Sequence, residues 1–138
     1  MFSFFKKSSS NVQKNEKPSV TINYDGGTKF AINNTNDLYL DIEELGGFPF
    51  VKTVIIGTFS TNIKKLGCKL NLQFSNNSSI TLVSDTTEVE SNNVKNTNVF
   101  VTEIDFEMTE SDASKIKTQK VTALTFTFKN TTLVFQPI

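Results

Sequence analysis

Alternation with a period of two residues is the feature that most narrows what this chain can become. In "CKLNLQF", Cys68, Leu70, Leu72 and Phe74 alternate with Lys69, Asn71 and Gln73. A pleated strand sends successive side chains to opposite faces, so this pattern makes one apolar and one polar face. The same rhythm recurs in "ITLVS" (80–84), "NVFVTEIDFEM" (98–108), "KVTALTFTFKN" (120–130) and "TLVFQ" (132–136). Turn chemistry separates the runs: Gly46-Gly47, "NNSS" at 76–79 and Asn130-Thr131. Short alternating strands at this spacing imply an all-β, mainly antiparallel fold. The expectation is a β-sandwich of about eight or nine short strands, with a closed β-barrel as the alternative.

Less regular stretches fill in the picture. "SVTINY" and "TKFAI" flank Asp25-Gly26-Gly27, which predicts a hairpin. "LYLDIEEL" (38–45) has period two through Leu38, Leu40 and Ile42, yet Ile42 and Leu45 also suit one helical turn. Pro49 limits pairing in "FPF". Gly57 interrupts the β-branched run "KTVIIGTFST" and implies a bulge or a close backbone approach. Residues 85–97 are polar and without period, and read as a mobile loop. Thr109 followed by Asp112 is an acidic variant of the capping box, so a short helix is expected near 110–118, with Ala113 and Ile116 inward.

The chain divides by composition into a flexible basic tail, 1–18, and a single β-sandwich domain, 19–138. The tail holds Lys6, Lys7, Lys14 and Lys17 against Glu16, which leaves the remainder mildly acidic. Its candidate anchor is Phe2, Phe4, Phe5, Lys6 and Lys7, which suits a partner groove or a weak contact with a membrane surface.

Absences constrain the chemistry. The chain has no histidine, and all 14 of its basic residues are lysine. Histidine triads, histidine metal ligands and bidentate guanidinium clamps are therefore excluded. A domain without arginine and with an acidic balance is not expected to bind nucleic acid. Cys68 is the only cysteine, so no internal disulfide forms; a reducing, cytoplasmic location is expected. No apolar run approaches transmembrane length, and the lysines of "MFSFFKK" follow the apolar residues, unlike a secretory signal. Composition rich in Asn, Lys, Ile and Phe without arginine suits an AT-rich bacterial or phage genome.

Glu103, Asp105 and Glu107 share one strand face, with neighbours about 6.5–7 Å apart. Carboxylates at that distance suit inverting glycoside chemistry, but a hydrophobic-in, polar-out strand turns such a row to water, with Lys69 or Lys129 as cross-strand partners. Asp37, Asp41, Glu43 and Glu44 lack the spacing of a calcium loop. Neither a phosphate loop nor a serine-nucleophile motif is present. The reading is a non-catalytic protein-interaction module with no metal and no cofactor, an accessory, adaptor, inhibitor or assembly component. Its candidate surface is Phe48, Phe50, Glu88, Glu90, Glu103, Asp105 and Glu107. A small barrel enclosing a lipid or other apolar ligand is the alternative, since ten phenylalanines lie within 19–138.

Overall fold

A computed structural model describes residues 16–138. These residues form β1 (Lys29–Ile32), β2 (Asn36–Leu45), β3 (Phe48–Gly57), β4 (Asn62–Ile63), β5 (Lys69–Phe74), β6 (Ser79–Val83), β7 (Val89–Asn93), β8 (Phe100–Glu107), α1 (Glu110–Thr118), β9 (Val121–Thr127) and β10 (Thr132–Pro137). All ten strands belong to one sheet, in the order β4-β7-β8-β3-β2-β1-β10-β9-β5-β6. Every pairing in it is antiparallel. The sheet curls into a half-barrel. The antiparallel class and the single short helix match the sequence reading; the strand count is slightly higher.

The longest hairpin explains how "LYLDIEEL" resolves. Gly46 and Gly47 have φ of 62° and 84°, the left-handed pair that a two-residue hairpin turn demands. They place Leu45 opposite Phe48 and hold ten residue pairs in register between β2 and β3. Pro49 pairs with Glu44, one step from the turn. Flanking residues of a two-residue turn form the hydrogen-bonded pair, so Pro49 falls at a non-bonded position toward β2; on its other side only its carbonyl is used, accepting the Met108 N–H at 3.3 Å.

Curling lets the inner faces of distant strands meet. Leu38, Val51, Ile55, Leu70, Leu72, Phe106, Leu124, Phe126 and Phe135 share one core. Phe126 lies at its centre, with ring centroids 5.7 Å from Phe135 and 6.1 Å from both Phe106 and Phe128. Cys68 belongs to this core, as its place in the alternating row implies. Helix α1 adds Ile116 to the same cluster. Its N-terminus carries the capping box: Asp112 N donates to Thr109 Oγ1 at 3.0 Å, and Thr109 N donates back to the Asp112 carboxylate.

The outer face is covered where β2 and β3 are widest. Tyr39, Val54, Ile56 and Val99 form a second buried cluster beneath Ile22 and Tyr24. Residues 19–24 thus fail to make the expected hairpin strand. They lie across the sheet, and Tyr24 meets Tyr39 edge-on at 5.0 Å. Asn98 fastens this segment: it accepts from Ser19 N at 2.6 Å and donates to Lys17 O at 2.9 Å.

Two further expectations change. Residues 85–97 are not one loop, because β7 lies inside them and pairs with β8. Gly57 is a close-approach site: a Cβ there would meet Asn36 Oδ1 and the Thr35 carbonyl oxygen. Beyond β7, the other half of β8 is met by the chain leaving β6, through a Ser84–Phe106 bridge and a hydrogen bond from Asp85 N to Asp105 O at 2.9 Å. Among the described residues no helix is long and apolar enough to cross a membrane. Residues Phe2 to Lys7, the candidate tail anchor, lie outside the described residues.

Candidate interaction groove

The register between β3 and β8 assembles the site. Phe50 lies opposite Glu107, and Lys52 opposite Asp105. On its other side Phe50 faces Glu43, and Lys52 faces Asp41. Because side chains alternate, Phe50, Lys52, Asp105 and Glu107 all stand on the outer face. The expected cross-strand partners do not meet this row. Lys69 pairs with Val83 and Thr127 instead, and Lys129 lies outside the strands. Lys52 takes that position, opposite Asp105.

The chain leaving β6 adds a third carboxylate. Asp85 Oδ1 accepts the Glu107 N–H at 2.8 Å, which fixes the Asp85 side chain beside β8. A groove of about 290 Å³ results, lined by Leu45, Phe48, Pro49 and Phe50 on the hairpin side and by Asp85, Asp105 and Glu107 on the other. Leu45 and Phe48 are 75% and 74% exposed at the hairpin tip.

Asp105 differs from an ordinary surface acid. Partial burial raises its pKa above the usual aspartate value, and the Asp85 carboxylate adds to that. Lys52 opposes the shift, while Glu103 and Glu43 reinforce it. The one ion pair among the described residues lies elsewhere, between Lys29 and Asp37 at 3.5 Å. Asp41 is also engaged, accepting the Thr28 N–H at 2.9 Å.

Four of the sequence-derived candidates therefore converge: Phe48, Phe50, Asp105 and Glu107 line one groove. Glu103 is exposed one step along the same strand face, opposite Val54. Glu88 and Glu90 stay apart from it; Glu90 lies on β7 opposite Asn62, and Glu88 just precedes that strand. Leu45, Pro49 and Asp85 complete the groove and were not among the residues singled out, although they lie in the 43–50 and 85–97 segments. Leu45 carried a signal, an apolar residue beside Gly46-Gly47. Asp85 carried none, since only the curl of the sheet brings it to β8.

Among the described residues, no three histidine, cysteine or carboxylate groups are grouped so as to hold a metal ion. Cys68 is buried, and burial pushes its thiol up to about 12 despite a hydrogen bond with Ser84. No protein family model, curated protein or solved structure matches this chain.

Proposed function

We propose that the chain is a non-catalytic protein-interaction module that works through the tip of the β2–β3 hairpin and the groove beside it. The observation that carries this reading is the exposure of Leu45 and Phe48 on either side of the two-glycine hairpin turn. A large apolar pair held in water at a hairpin tip costs solvation that a partner would recover, about 1.5–3 kcal/mol for each side chain fully covered. Part of that gain offsets the cost of association. The single buried thiol fits a reducing compartment such as the cytoplasm.

The apolar-ligand alternative has less support. Its cavity would have to open where Phe106, Phe128 and Phe135 already pack around Phe126. The bridge between Ser84 and Phe106 supports reading the curl as an incomplete barrel rather than two stacked layers, with the space inside filled by side chains.

The test uses full-length protein in its source cell, crosslinked and captured beside a Leu45→Ser/Phe48→Ser variant. The expected result is one stoichiometric protein held by the natural chain and lost by the variant, with thermal unfolding unchanged. Equal capture by both chains, or lipid released from purified protein in native mass spectrometry, would sink the reading.

A further inference from the structure

Resting on the interaction reading, we propose that the groove receives an extended peptide segment that sets a lysine or arginine beside an apolar side chain. The two walls of the groove call for the two halves of that segment. Leu45, Phe48 and Phe50 present an apolar surface, which an aliphatic or aromatic residue covers. Asp85, Asp105 and Glu107 face it across the groove. Asp85 is held in place by the Glu107 N–H, so its carboxylate does not have to be ordered on binding.

Charge complementarity decides between a basic and a neutral occupant. The groups acting on Asp105 are Asp85, Glu103 and Glu43 against Lys52 alone. That local excess of negative charge, next to an apolar wall that lowers the dielectric, attracts a cation and repels an acidic segment. Crowding of Asp105 by its neighbours points the same way: an arriving cation relieves it. An ammonium or guanidinium group on a flexible stem suits the geometry, since the stem lies along the phenylalanines while the head reaches the carboxylates.

The test is a titration of isotope-labelled full-length protein by NMR with three capped peptides, Lys-Phe-Lys-Phe-Lys, Gln-Phe-Gln-Phe-Gln and Lys-Ser-Lys-Ser-Lys. The first is expected to shift the amides of Leu45 to Phe48, Phe50, Asp85, Asp105 and Glu107, and to bind about tenfold or more tightly than either control. Its affinity falls as salt rises, because the attraction is between partly exposed charges. Asp105→Asn/Glu107→Gln is expected to bring it down to the level of the glutamine peptide, while Leu45→Ser/Phe48→Ser lowers it to that of the serine peptide. Equal binding of the lysine and glutamine peptides overturns the proposal, as do shifts confined to other surfaces or no binding at all. If Leu45→Ser/Phe48→Ser abolishes capture of a cellular protein but Asp105→Asn/Glu107→Gln leaves it intact, the interaction reading stands and the basic partner falls.

Discussion

The Asn36 side-chain carbonyl accepts the backbone N–H of Phe59 at 3.0 Å, across 23 residues of chain. Asn36 is buried, and its amide donates to Thr35 Oγ1 at 3.0 Å. Removing the carboxamide leaves a buried N–H without its acceptor, a loss of about 1–3 kcal/mol. Asn36→Ala is therefore expected to lower stability by that amount in urea unfolding, with the slope unchanged. A midpoint equal to that of the natural protein would show that water replaces the lost acceptor.

Gly57 presses against the same asparagine. A methyl group at 57 would meet the Thr35 carbonyl oxygen and Asn36 Cα, which are backbone and cannot rotate aside. Gly57→Ala should cost about 1–3 kcal/mol through overpacking. Gly46→Ala offers a control of a different kind. Nothing lies within 4 Å there, and only the φ of 62° penalises the substitution, at about 1–2 kcal/mol. Shortening Asn36 removes only the Oδ1 contact, so most of the cost of Gly57→Ala should persist in the double variant, while Gly46→Ala should be additive with it; double-mutant cycles read that difference.

Helix α1 depends on its first turn. Thr109→Ala removes the acceptor for Asp112 N, for an expected loss of about 1 kcal/mol. Thr109→Ser should retain most of the stability, since a serine hydroxyl caps equally well. If alanine and serine behave alike in thermal unfolding, the cap contributes nothing and Ile116 alone anchors the helix.

Asp105 makes stability depend on pH. Its pKa is raised in the folded chain, chiefly by burial and then by Asp85, so the folded state binds the proton more tightly than the unfolded one. Stability from this group is fully present below the unfolded value of about 3.9 and is lost as pH rises through the folded value. Asp105→Asn should accordingly have the higher Tm at pH 7, with the gap closing near pH 3. A variant less stable than the natural protein at pH 7 would mean that the attraction of Lys52 outweighs burial.

The Cys68 thiol is buried, and its pKa is pushed up to about 12. Thiolate is the reactive form, so a thiol reagent at pH 8 should label the native protein on the order of a thousandfold more slowly than the urea-unfolded chain. Rapid labelling without denaturant would show that the region between Gly67 and Ser84 opens on its own.

What the sequence made legible follows one physical rule. Strands buried on one face kept their alternation, as in Lys69–Phe74, and the cap at Thr109 announced the helix. Where both faces are covered, alternation disappears: Val54, Ile55 and Ile56 are all buried because Ile22 and Tyr24 lie over the outside. Residues 19–24 do alternate, but they use that pattern to dock side chains rather than to join a ladder. Val89–Asn93 showed no pattern because Val89 alone among its residues is buried. The groove was legible in its parts only. Phe48, Phe50, Asp105 and Glu107 were each noticeable, but the register that sets Phe50 beside Glu107 and the curl that brings up Asp85 are long-range facts.

The join between β1 and β10 has a consequence for the order in which the molecule is made. Along the sheet, the six strands on one side join the four on the other through two residue pairs, Ile32 with Gln136 and Ala31 with Pro137, apart from the Ser84–Phe106 bridge on the opposite side of the curl. The β2–β3 and β5–β6 hairpins close over short stretches and form early. Their two half-sheets, however, cannot be sealed until the ribosome has released residues more than a hundred positions after β1. Until then the apolar inner faces of both halves, Phe106 on one and Phe126 on the other, stand open to solvent and to any chaperone waiting at the exit tunnel.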